Sequence, residues 1–333
     1  VAGTGVAIAG AGLMGRWHAQ AARRLGARVL GVADPDPARA RSVAGAGVPV
    51  FADVREMIEA VGPAVLHVCT PSATHEALIG EAIAGGIHVL AEKPLAADAA
   101  ATRRLCDVAA QGGVRLCPVH QYAFQKAVAQ AVQERGRLGE LQMVEMDFFS
   151  AGAAGADRED HLRIAADILP HPASIAQRLW PERPLGTIAW EVRPAGAGGW
   201  EISGVAGTAL LRITLSLAAR PTRAGLRLWG TRGAWEVDLF HGYALFRDGA
   251  ASRGGKIARP FRDSLGHLGR ASANLAVRAL RREPAYPGLR TLTRAFYDAA
   301  EGRGPLPIGA EEAVAVAALR DLFLARARTR SRS

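Results

Sequence analysis

An acidic and a basic residue stand side by side in the stretch HVLAEKPLA (88–96). The apolar run His88–Ala91 predicts a buried strand, so Glu92 and Lys93 come where that strand emerges at the edge of a sheet. Two opposite charges at this edge can pair with each other as a structural clasp. Alternatively, Lys93 can be directed at a molecule bound in a crevice. The residues by themselves leave both alternatives open.

Three glycines are spaced as GxGxxG in VAIAGAGLMGRWHA, close to the N-terminus. They follow a strand candidate and open a helix candidate, which is the context of a dinucleotide-binding turn. The first glycine permits the tight turn, the second lets the backbone approach a pyrophosphate, and the third allows close packing of helix on strand. The helix start then offers N–H groups and its dipole to the phosphates. The predicted phosphate-binding turn is Gly10, Gly12, Leu13, Met14 and Gly15.

Asp34 ends the second strand candidate, about 20 residues after the glycine turn. A carboxylate at this place accepts hydrogen bonds from the ribose hydroxyls of adenosine and repels a 2′-phosphate. The sequence therefore favours NAD over NADP, although Arg39 lies close enough to weaken that preference. The alternative interpretation is a glycine turn followed by an unrelated aspartate that caps a helix.

A further crevice position follows the next strand candidate, in VCTPSATHEAL. The strand ends before Thr70 and Pro71, and His75 lies one turn into the helix that comes next. In an open α/β sheet, ligands bind at the carboxyl ends of the strands. We therefore include these three residues among the predicted cofactor-binding residues, while His75 could also be an ordinary capping or surface histidine.

The first 120 residues alternate between short β-branched runs and Ala-rich segments with helical spacing. This rhythm predicts a doubly wound α/β domain around a parallel sheet. The strand candidates are 6–9, 28–33, 64–69, 87–91 and 114–118. The helix candidates are 13–26, 36–45, 53–61, 74–85 and 98–111.

After residue 120 the pattern changes to longer alternating runs, which favour an antiparallel sheet with one buried face. The glycine-rich stretch 150–160 predicts a mobile loop. The helix candidates here are 123–135, 264–282, 288–302 and 310–327. The predicted domains are therefore 1–120, which binds the dinucleotide, and 121–333.

Composition limits the classes of function. The chain has 333 residues, 49% of them hydrophobic and 22% charged, which is typical of a globular protein with two cores. The net charge is +10, and residues 251–333 hold 16 Lys and Arg against 7 Asp and Glu. No nucleic-acid motif accompanies these arginines, and no apolar run is long enough for a membrane span. We expect a cytoplasmic protein without bound metal, whose three cysteines are reduced thiols.

Four motifs in succession resemble the Gfo/Idh/MocA family of nicotinamide-dependent oxidoreductases. They are GxGxMGxxHA at 10–19, Asp34, TPSATH at 70–75 and EKP at 92–94. The resemblance extends through RLGEL (137–141), the pair Asp167 and His171, and YPGLRTLTRAFYDAA near the C-terminus, so that it covers nearly the whole chain. It implies a Rossmann domain followed by an α/β domain on a large, open, mostly antiparallel sheet. Such sheets often form the contacts of a homodimer or homotetramer.

The resemblance also implies roles for individual residues. Lys93 matches the catalytic lysine of the family and Pro94 its usually cis proline, while Asp167 and His171 match the pair beside the substrate hydroxyl. His171 would remove the hydroxyl proton, and Lys93 would donate a hydrogen bond to the developing alkoxide. Asp167 would orient either partner, and Glu92 would anchor the strand end or the nicotinamide side. This implies hydride transfer at a secondary hydroxyl of a sugar, sugar derivative or cyclitol.

Departures from the family pattern border the substrate pocket. Ala123 and Lys126 stand where an arginine and a proline are usual, and RIAAD replaces a glycine cluster before Asp167. Gln121 and Tyr122 are predicted substrate-binding residues, as are Lys93 and His171. Pro170 and Pro172 confine His171 to a helix start or to the loop before it, so the four-residue spacing from Asp167 proves little. His161 and Arg163 are expected on a loop that approaches the pocket.

Two other functions stay open. One is a redox-neutral glycosidase of the same family, which oxidises a sugar transiently, eliminates the aglycone and reduces the sugar again. The other is a non-catalytic protein that binds a dinucleotide. The sequence leaves the substrate, its stereochemistry and the direction of the reaction undetermined.

Overall fold

The computed structural model describes residues 3–150, 153, 156–181, 185–196, 198–249, 253–281 and 285–329. Its strands are β1 (Gly5–Ala9), β2 (Arg28–Ala33), β3 (Val50–Phe51), β4 (Val65–Val68), β5 (His88–Ala91), β6 (Leu116–Pro118), β7 (Leu141–Phe149), β8 (Glu191–Pro194), β9 (Gly199–Ala206), β10 (Ala209–Ser216), β11 (Arg223–Gly230), β12 (Gly233–Asp238) and β13 (Tyr243–Asp248). Its α-helices are α1 (Leu13–Arg24), α2 (Pro37–Ala44), α3 (Val54–Val61), α4 (His75–Ala84), α5 (Ala99–Gln111), α6 (Lys126–Gln133), α7 (Arg158–Ile168), α8 (Pro170–Leu179), α9 (Arg253–Leu280), α10 (Leu289–Ala300) and α11 (Ala310–Thr329).

The chain divides into two compact units. The first consists of Val1–His120 and Leu289–Ala318, and the second of Gln121–Gly288 and Leu319–Ser333. The first unit carries a parallel sheet of six strands in the order β3-β2-β1-β4-β5-β6. This is the doubly wound strand order, in which strands are added on one side of β1 up to β3 and on its other side from β4 onward.

The strands of the first unit form because their residues are apolar on both faces. All four residues of β4 are buried, as are four of the five in β1, and a parallel sheet covered by helices buries both faces. Three of the helices, α2, α3 and α5, start at aspartates that cap free N–H groups. The capping residues are Asp36, Asp53 and Asp98. The predicted parallel α/β domain is confirmed, and the sequence missed only the short strand β3.

The placement of helix α10 differs from the predicted division of the chain into domains. We expected all of 121–333 in the second domain, whereas Leu289–Ala318 belongs to the first unit. The reason is the apolar face of α10, on which Leu292, Phe296 and Tyr297 are buried. That face packs against α1 and β5.

The second unit contains a mixed sheet of seven strands in the order β13-β12-β11-β7-β10-β9-β8. β7 and β10 are parallel, and the other neighbours are antiparallel. Buried and less buried residues alternate along β7 and β10, as expected for a sheet with one face in the core. The predicted open, mostly antiparallel sheet is confirmed.

The stretch 150–160 was predicted as a loop, yet α7 already begins at Arg158. Asp157 caps this helix, since its carboxylate accepts the N–H of Asp160 at 2.8 Å. His161 and Arg163 therefore lie on a helix rather than on the expected loop. Residues 151, 152, 154 and 155 lie outside the described residues. Within the described ranges, no helix has the length and apolar character needed to cross a membrane.

Candidate active site

The glycine turn of the first unit has room for glycine only at two of its three positions. Gly10 has φ 91°, and a β-carbon there would lie 2.6 Å from the carbonyl oxygen of Cys69. A β-carbon on Gly15 would lie 1.9 Å from the carbonyl oxygen of Gly10. Around Gly12, by contrast, no heavy atom lies within 4 Å of the position of a β-carbon. The turn is therefore tightly packed at Gly10 and Gly15 and open at Gly12, where a ligand can approach the backbone.

The open side of the turn coincides with the start of α1. Gly12 is the N-cap residue, and the first bond within the helix runs from the N–H of Arg16 to the carbonyl of Gly12 at 3.1 Å. The N–H groups of Leu13, Met14 and Gly15 consequently have no acceptor within the helix. Such a helix start binds phosphate groups. The turn thus fits the diphosphate of a dinucleotide.

Asp34 is buried beside this turn and bonded to it. Its Oδ2 accepts the N–H of Ala11 at 2.8 Å, and its Oδ1 accepts the N–H of Asp36 at 2.9 Å. Arg39 extends from α2 with Nη2 at 3.5 Å from Asp34 Oδ1 and Nε at 3.0 Å from Asp36 Oδ2. The carboxylate of Asp34 is therefore fixed in orientation at the end of β2, while the exposed guanidinium of Arg39 lies between two carboxylates.

His75 joins two segments that were predicted to line the crevice. Its ring is 1% exposed, with Nδ1 at 2.7 Å from the carbonyl oxygen of Pro94 and Nε2 at 2.9 Å from that of Thr70. The hydroxyl of Thr74 in turn donates to the carbonyl oxygen of Pro71 at 2.9 Å. Both ring nitrogens of His75 thus face backbone carbonyls, and its role as a cofactor-binding residue stays a prediction.

Lys93 is the second residue after β5 and is half-buried. The peptide bond between Lys93 and Pro94 is cis, as the resemblance implies. The preceding residue, Glu92, is only 8% exposed, and its Oε1 lies 3.2 Å from Nε2 of His18 on α1. A structural partner therefore exists for the carboxylate at this sheet edge.

Sequence reasoning assigned no role to three buried residues that connect to Glu92. His18 contacts His67, and His67 contacts Tyr297; all three side chains are fully buried. One signal was available in the sequence, because His67 is the one polar residue of the strand VLHV. A polar side chain in a fully buried strand needs a hydrogen-bond partner.

In the second unit, His171 lies at the second residue of α8, where Pro170 opens the helix. Of the two positions that the prolines allowed, the helix start is therefore the one adopted. The ring of His171 packs edge-on against Tyr122, with centroids 4.6 Å apart, and is stacked on Phe148 at 6.4 Å. Asp167 lies in the last turn of the preceding helix, α7, and is half-buried.

A cavity of about 360 Å³ lies next to this aromatic cluster in the second unit. Burial, together with the neighbouring Tyr286, raises the pKa of Tyr122, so its hydroxyl stays protonated at neutral pH and can donate a hydrogen bond. Gln125 donates its amide N–H to the carbonyl of Leu239 at 2.8 Å and so fixes one wall. The cavity lining includes Gln121, Tyr122, Gln125, Leu239, Arg278 and Tyr286.

The structure thus groups the predicted residues into two sets. The first unit brings together the glycine turn with Asp34, and the segment of Thr70 with that of Pro94. The second unit brings His171 to Tyr122, and Tyr122 with Gln121 into the lining of one cavity. Lys93 belongs to the first unit and Asp167 and His171 to the second, and their joint action stays a prediction.

Part of the chain matches the model of a known protein family. Residues 4–120 match the model of GFO_IDH_MocA, described as an oxidoreductase family with an NAD-binding Rossmann fold. An inositol 2-dehydrogenase from Streptomyces avermitilis is 37% identical over 150 residues, which are 42% of this chain and 43% of that protein. The rhizopine catabolism protein MocA from Rhizobium meliloti is 32% identical over 140 residues, 41% of this chain and 44% of that protein. The matches therefore span less than half of these relatives.

Solved structures resemble the chain over nearly its full length. GenD2 from gentamicin A biosynthesis, in complex with NAD, has a TM-score of 0.74 at 22% identity and covers 99% of this chain and 95% of its own. The UDP-N-acetylglucosamine 3-dehydrogenase GnnA from Acidithiobacillus ferrooxidans has a TM-score of 0.74 at 18% identity and covers 98% of both chains. At these identities the likeness shows the fold.

Proposed function

We propose that this chain, whose residues 4–120 match the model of the Gfo/Idh/MocA oxidoreductase family, is an NAD-dependent dehydrogenase or reductase. Its substrate is a secondary hydroxyl, or the corresponding ketone, of a sugar, sugar derivative or cyclitol. The observation that carries this proposal is the glycine turn. It is open at Gly12, and its Ala11 N–H donates to the buried carboxylate of Asp34. The names of the relatives, inositol 2-dehydrogenases among them, support the substrate class.

The preference for NAD rests on Asp34. Its carboxylate lies at the end of β2 with both oxygens bonded to backbone N–H groups, so it cannot turn away from a ribose. Two hydroxyls there gain charge-assisted hydrogen bonds, whereas a 2′-phosphate meets a negative charge. Arg39 does not reverse this preference, because two carboxylates already hold its guanidinium.

The catalytic residues in this proposal are Lys93, Asp167 and His171. When bound, the dinucleotide accepts or returns the hydride. His171 takes the hydroxyl proton in oxidation and gives it back in reduction, while Lys93 donates a hydrogen bond to the oxygen as negative charge develops. Asp167 orients Lys93 or His171. The packing of His171 against Tyr122 and Phe148 supports this role, since it limits rotation of the imidazole.

The cavity beside Tyr122 is the proposed binding place for the rest of the substrate. Amide and phenol groups from Gln121 and Tyr122 suit the hydroxyls of a sugar or cyclitol, and the rings of Tyr122 and Tyr286 suit its apolar faces. In this proposal Tyr122 contacts both the substrate and the ring of His171.

The test is reduction of NAD, followed at 340 nm, with a panel of cyclitols, sugars and sugar derivatives. Lys93→Ala should lower kcat by about 100-fold or more and leave NADH binding unchanged. Arg294→Ala is the control for loss of a cation, because Arg294 is exposed on α10 of the first unit. A fully active Lys93→Ala variant would contradict the assignment of Lys93. Release of nitrophenol from a glycoside without net NADH would favour the glycosidase, and NADH binding without turnover would favour the non-catalytic protein.

The protein is also proposed to be a homodimer or homotetramer. On the sheet, Val205, Leu210 and Trp229 are 58%, 37% and 39% exposed. The helix α9 carries a stripe of exposed apolar residues on one face: Ile257, Phe261, Leu265, Leu268 and Leu275. A second copy of the chain fits these surfaces, because a two-fold contact presents the same patches from both partners and buries all of them at once.

Light scattering after size exclusion tests this assembly. The variant carrying Leu265→Glu and Leu268→Glu should have half the mass of the wild type or less, with unchanged NADH binding. Val108→Glu, at a lone exposed valine of the first unit, should keep the wild-type mass. A monomeric wild type at micromolar concentration would rule the proposal out.

A further inference from the structure

A row of four polar side chains leads from the sheet edge at Glu92 into the core of the first unit. Glu92 Oε1 lies 3.2 Å from His18 Nε2. His18 Nδ1 lies 2.9 Å from His67 Nδ1, and His67 Nε2 lies 2.7 Å from the hydroxyl of Tyr297. His18, His67 and Tyr297 are 0% exposed and Glu92 is 8% exposed. The row therefore meets solvent only at its Glu92 end.

Each of these three contacts needs one proton between its two atoms. In one arrangement Tyr297 donates to Nε2 of His67, so that His67 carries its proton on Nδ1 and donates to His18. His18 then carries its proton on Nε2 and donates to Glu92, which must be an ionised carboxylate. All protons point the same way, toward the sheet edge.

The reverse arrangement leaves a buried group without a partner. If Glu92 were protonated, or if His18 were an imidazolium, His18 would donate from Nδ1 to His67, and His67 would donate from Nε2 to Tyr297. The hydroxyl hydrogen of Tyr297 would then need another acceptor. Among the described residues, the only hydrogen bond of this hydroxyl is to His67, and leaving a buried donor unsatisfied destabilises the fold.

The surroundings of His67 favour its neutral form. Burial, and then the neighbouring His18, lower the pKa of His67 well below its ordinary value, so His67 stays neutral. Burial, and then Glu92, raise the pKa of the Cys69 thiol well above its ordinary value. The titratable groups that face Glu92 are thus His18 on α1 and the neutral thiol of Cys69 after β4, with Lys93 as the next residue in the chain.

We propose that Tyr297, His67 and His18 form a one-way hydrogen-bond chain that holds the carboxylate of Glu92 ionised and in one orientation at the end of β5, next to Lys93. The three are positioning residues, since they act through Glu92. A fixed negative charge at this edge attracts a neighbouring ammonium group. The part that concerns turnover rests on the proposed function, whereas the proton arrangement does not.

The proton arrangement is measured directly by nitrogen-15 NMR of the histidine rings in the full-length protein without substrate. Between pH 6 and pH 8 we expect His67 as the neutral Nδ1–H tautomer, which is the minor form of free histidine, and His18 as the neutral Nε2–H tautomer. The signals are assigned from their loss in His67→Gln and His18→Gln. Finding the Nε2–H tautomer at His67, or a doubly protonated His18, overturns the proposal whether or not the protein is a dehydrogenase.

Tyr297→Phe tests the consequence for the reaction, because it removes only the terminal hydroxyl. Without this donor the chain can reverse, so His67 should show a mixture of tautomers. In the plot of kcat against pH, the low-pH limb should then move to higher pH by about half a pH unit or more. Tyr243→Phe in β13 is the matched control and should leave both readouts unchanged. If the variant were only less stable, its melting temperature would fall but the limb would stay in place, and that result overturns the link between the chain and Glu92.

Discussion

The glycine turn of the first unit and the His171 cluster of the second unit hold their functional groups in different ways. At the turn, the backbone does the work: Gly10 and Gly15 have no space for a β-carbon, and the N–H groups of α1 are presented directly. At the cluster, side chains position the functional group, since the ring of His171 is held by contacts with the rings of Tyr122 and Phe148. Backbone sites of the first kind tolerate almost no substitution, whereas sites of the second kind can change their chemistry while the fold is kept.

The largest effect is expected from Gly15→Ala. Its β-carbon would meet the carbonyl oxygen of Gly10 at 1.9 Å, which forces α1 away from β1 and should cost about 2–4 kcal/mol of unfolding free energy. Gly12→Ala sharpens the comparison. Its added methyl group has open space around it but occupies the approach of a ligand to the turn. We expect normal stability and strongly weakened NADH binding for it, measured by denaturation and by fluorescence titration.

Gly80→Ala in α4 serves as the control for both glycine variants, since no heavy atom lies within 4 Å of its β-carbon position. It should bind NADH normally and be slightly more stable, because alanine is the better helix former. Equal NADH affinity in Gly12→Ala and wild type would break the assignment of the turn as the phosphate site.

At the side-chain site, His171→Gln should separate turnover from cofactor binding. Loss of a general base typically lowers kcat by about 10²–10⁴, and we expect a value in this range at unchanged NADH affinity. The melting temperature should change little, because glutamine is accepted at a helix start with partial exposure. Loss of NADH binding in this variant would contradict the division of work between the two regions.

The smallest effect concerns the pH dependence of stability. Because burial lowers the pKa of His67 in the folded state, the unfolded chain binds more protons at this residue below about pH 6.5. Stability is therefore lost as the pH falls from about 6.5 toward 5, by at most about 1.4 kcal/mol per unit from this residue. Urea unfolding of His67→Gln should show a shallower slope over this window, and His241→Gln, at an exposed ring, the wild-type slope.

Much of the first unit could be predicted from the sequence because its signals are local. GxGxxG spacing, an aspartate at a strand end and continuous apolar runs each depend on the backbone within a few residues, and β2 was predicted with its observed ends, Arg28 and Ala33. The helices α7 and α8 were missed because glycines before them and Pro170 and Pro172 within them resemble loop signals. In the folded chain, Asp157 caps the first helix and Pro170 opens the second.

The sequence alone determined the parallel sheet, the open glycine turn and the place of Asp34, because steric exclusion and strand periodicity act between near neighbours in the chain. Only the tertiary structure decided that α10 belongs to the first unit, that both nitrogens of His75 face carbonyl groups, and that Tyr297 meets His67 across 230 positions. Contacts of this kind depend on which apolar faces pack together. A buried polar group then takes the partner that packing leaves within reach, and local spacing does not encode that choice.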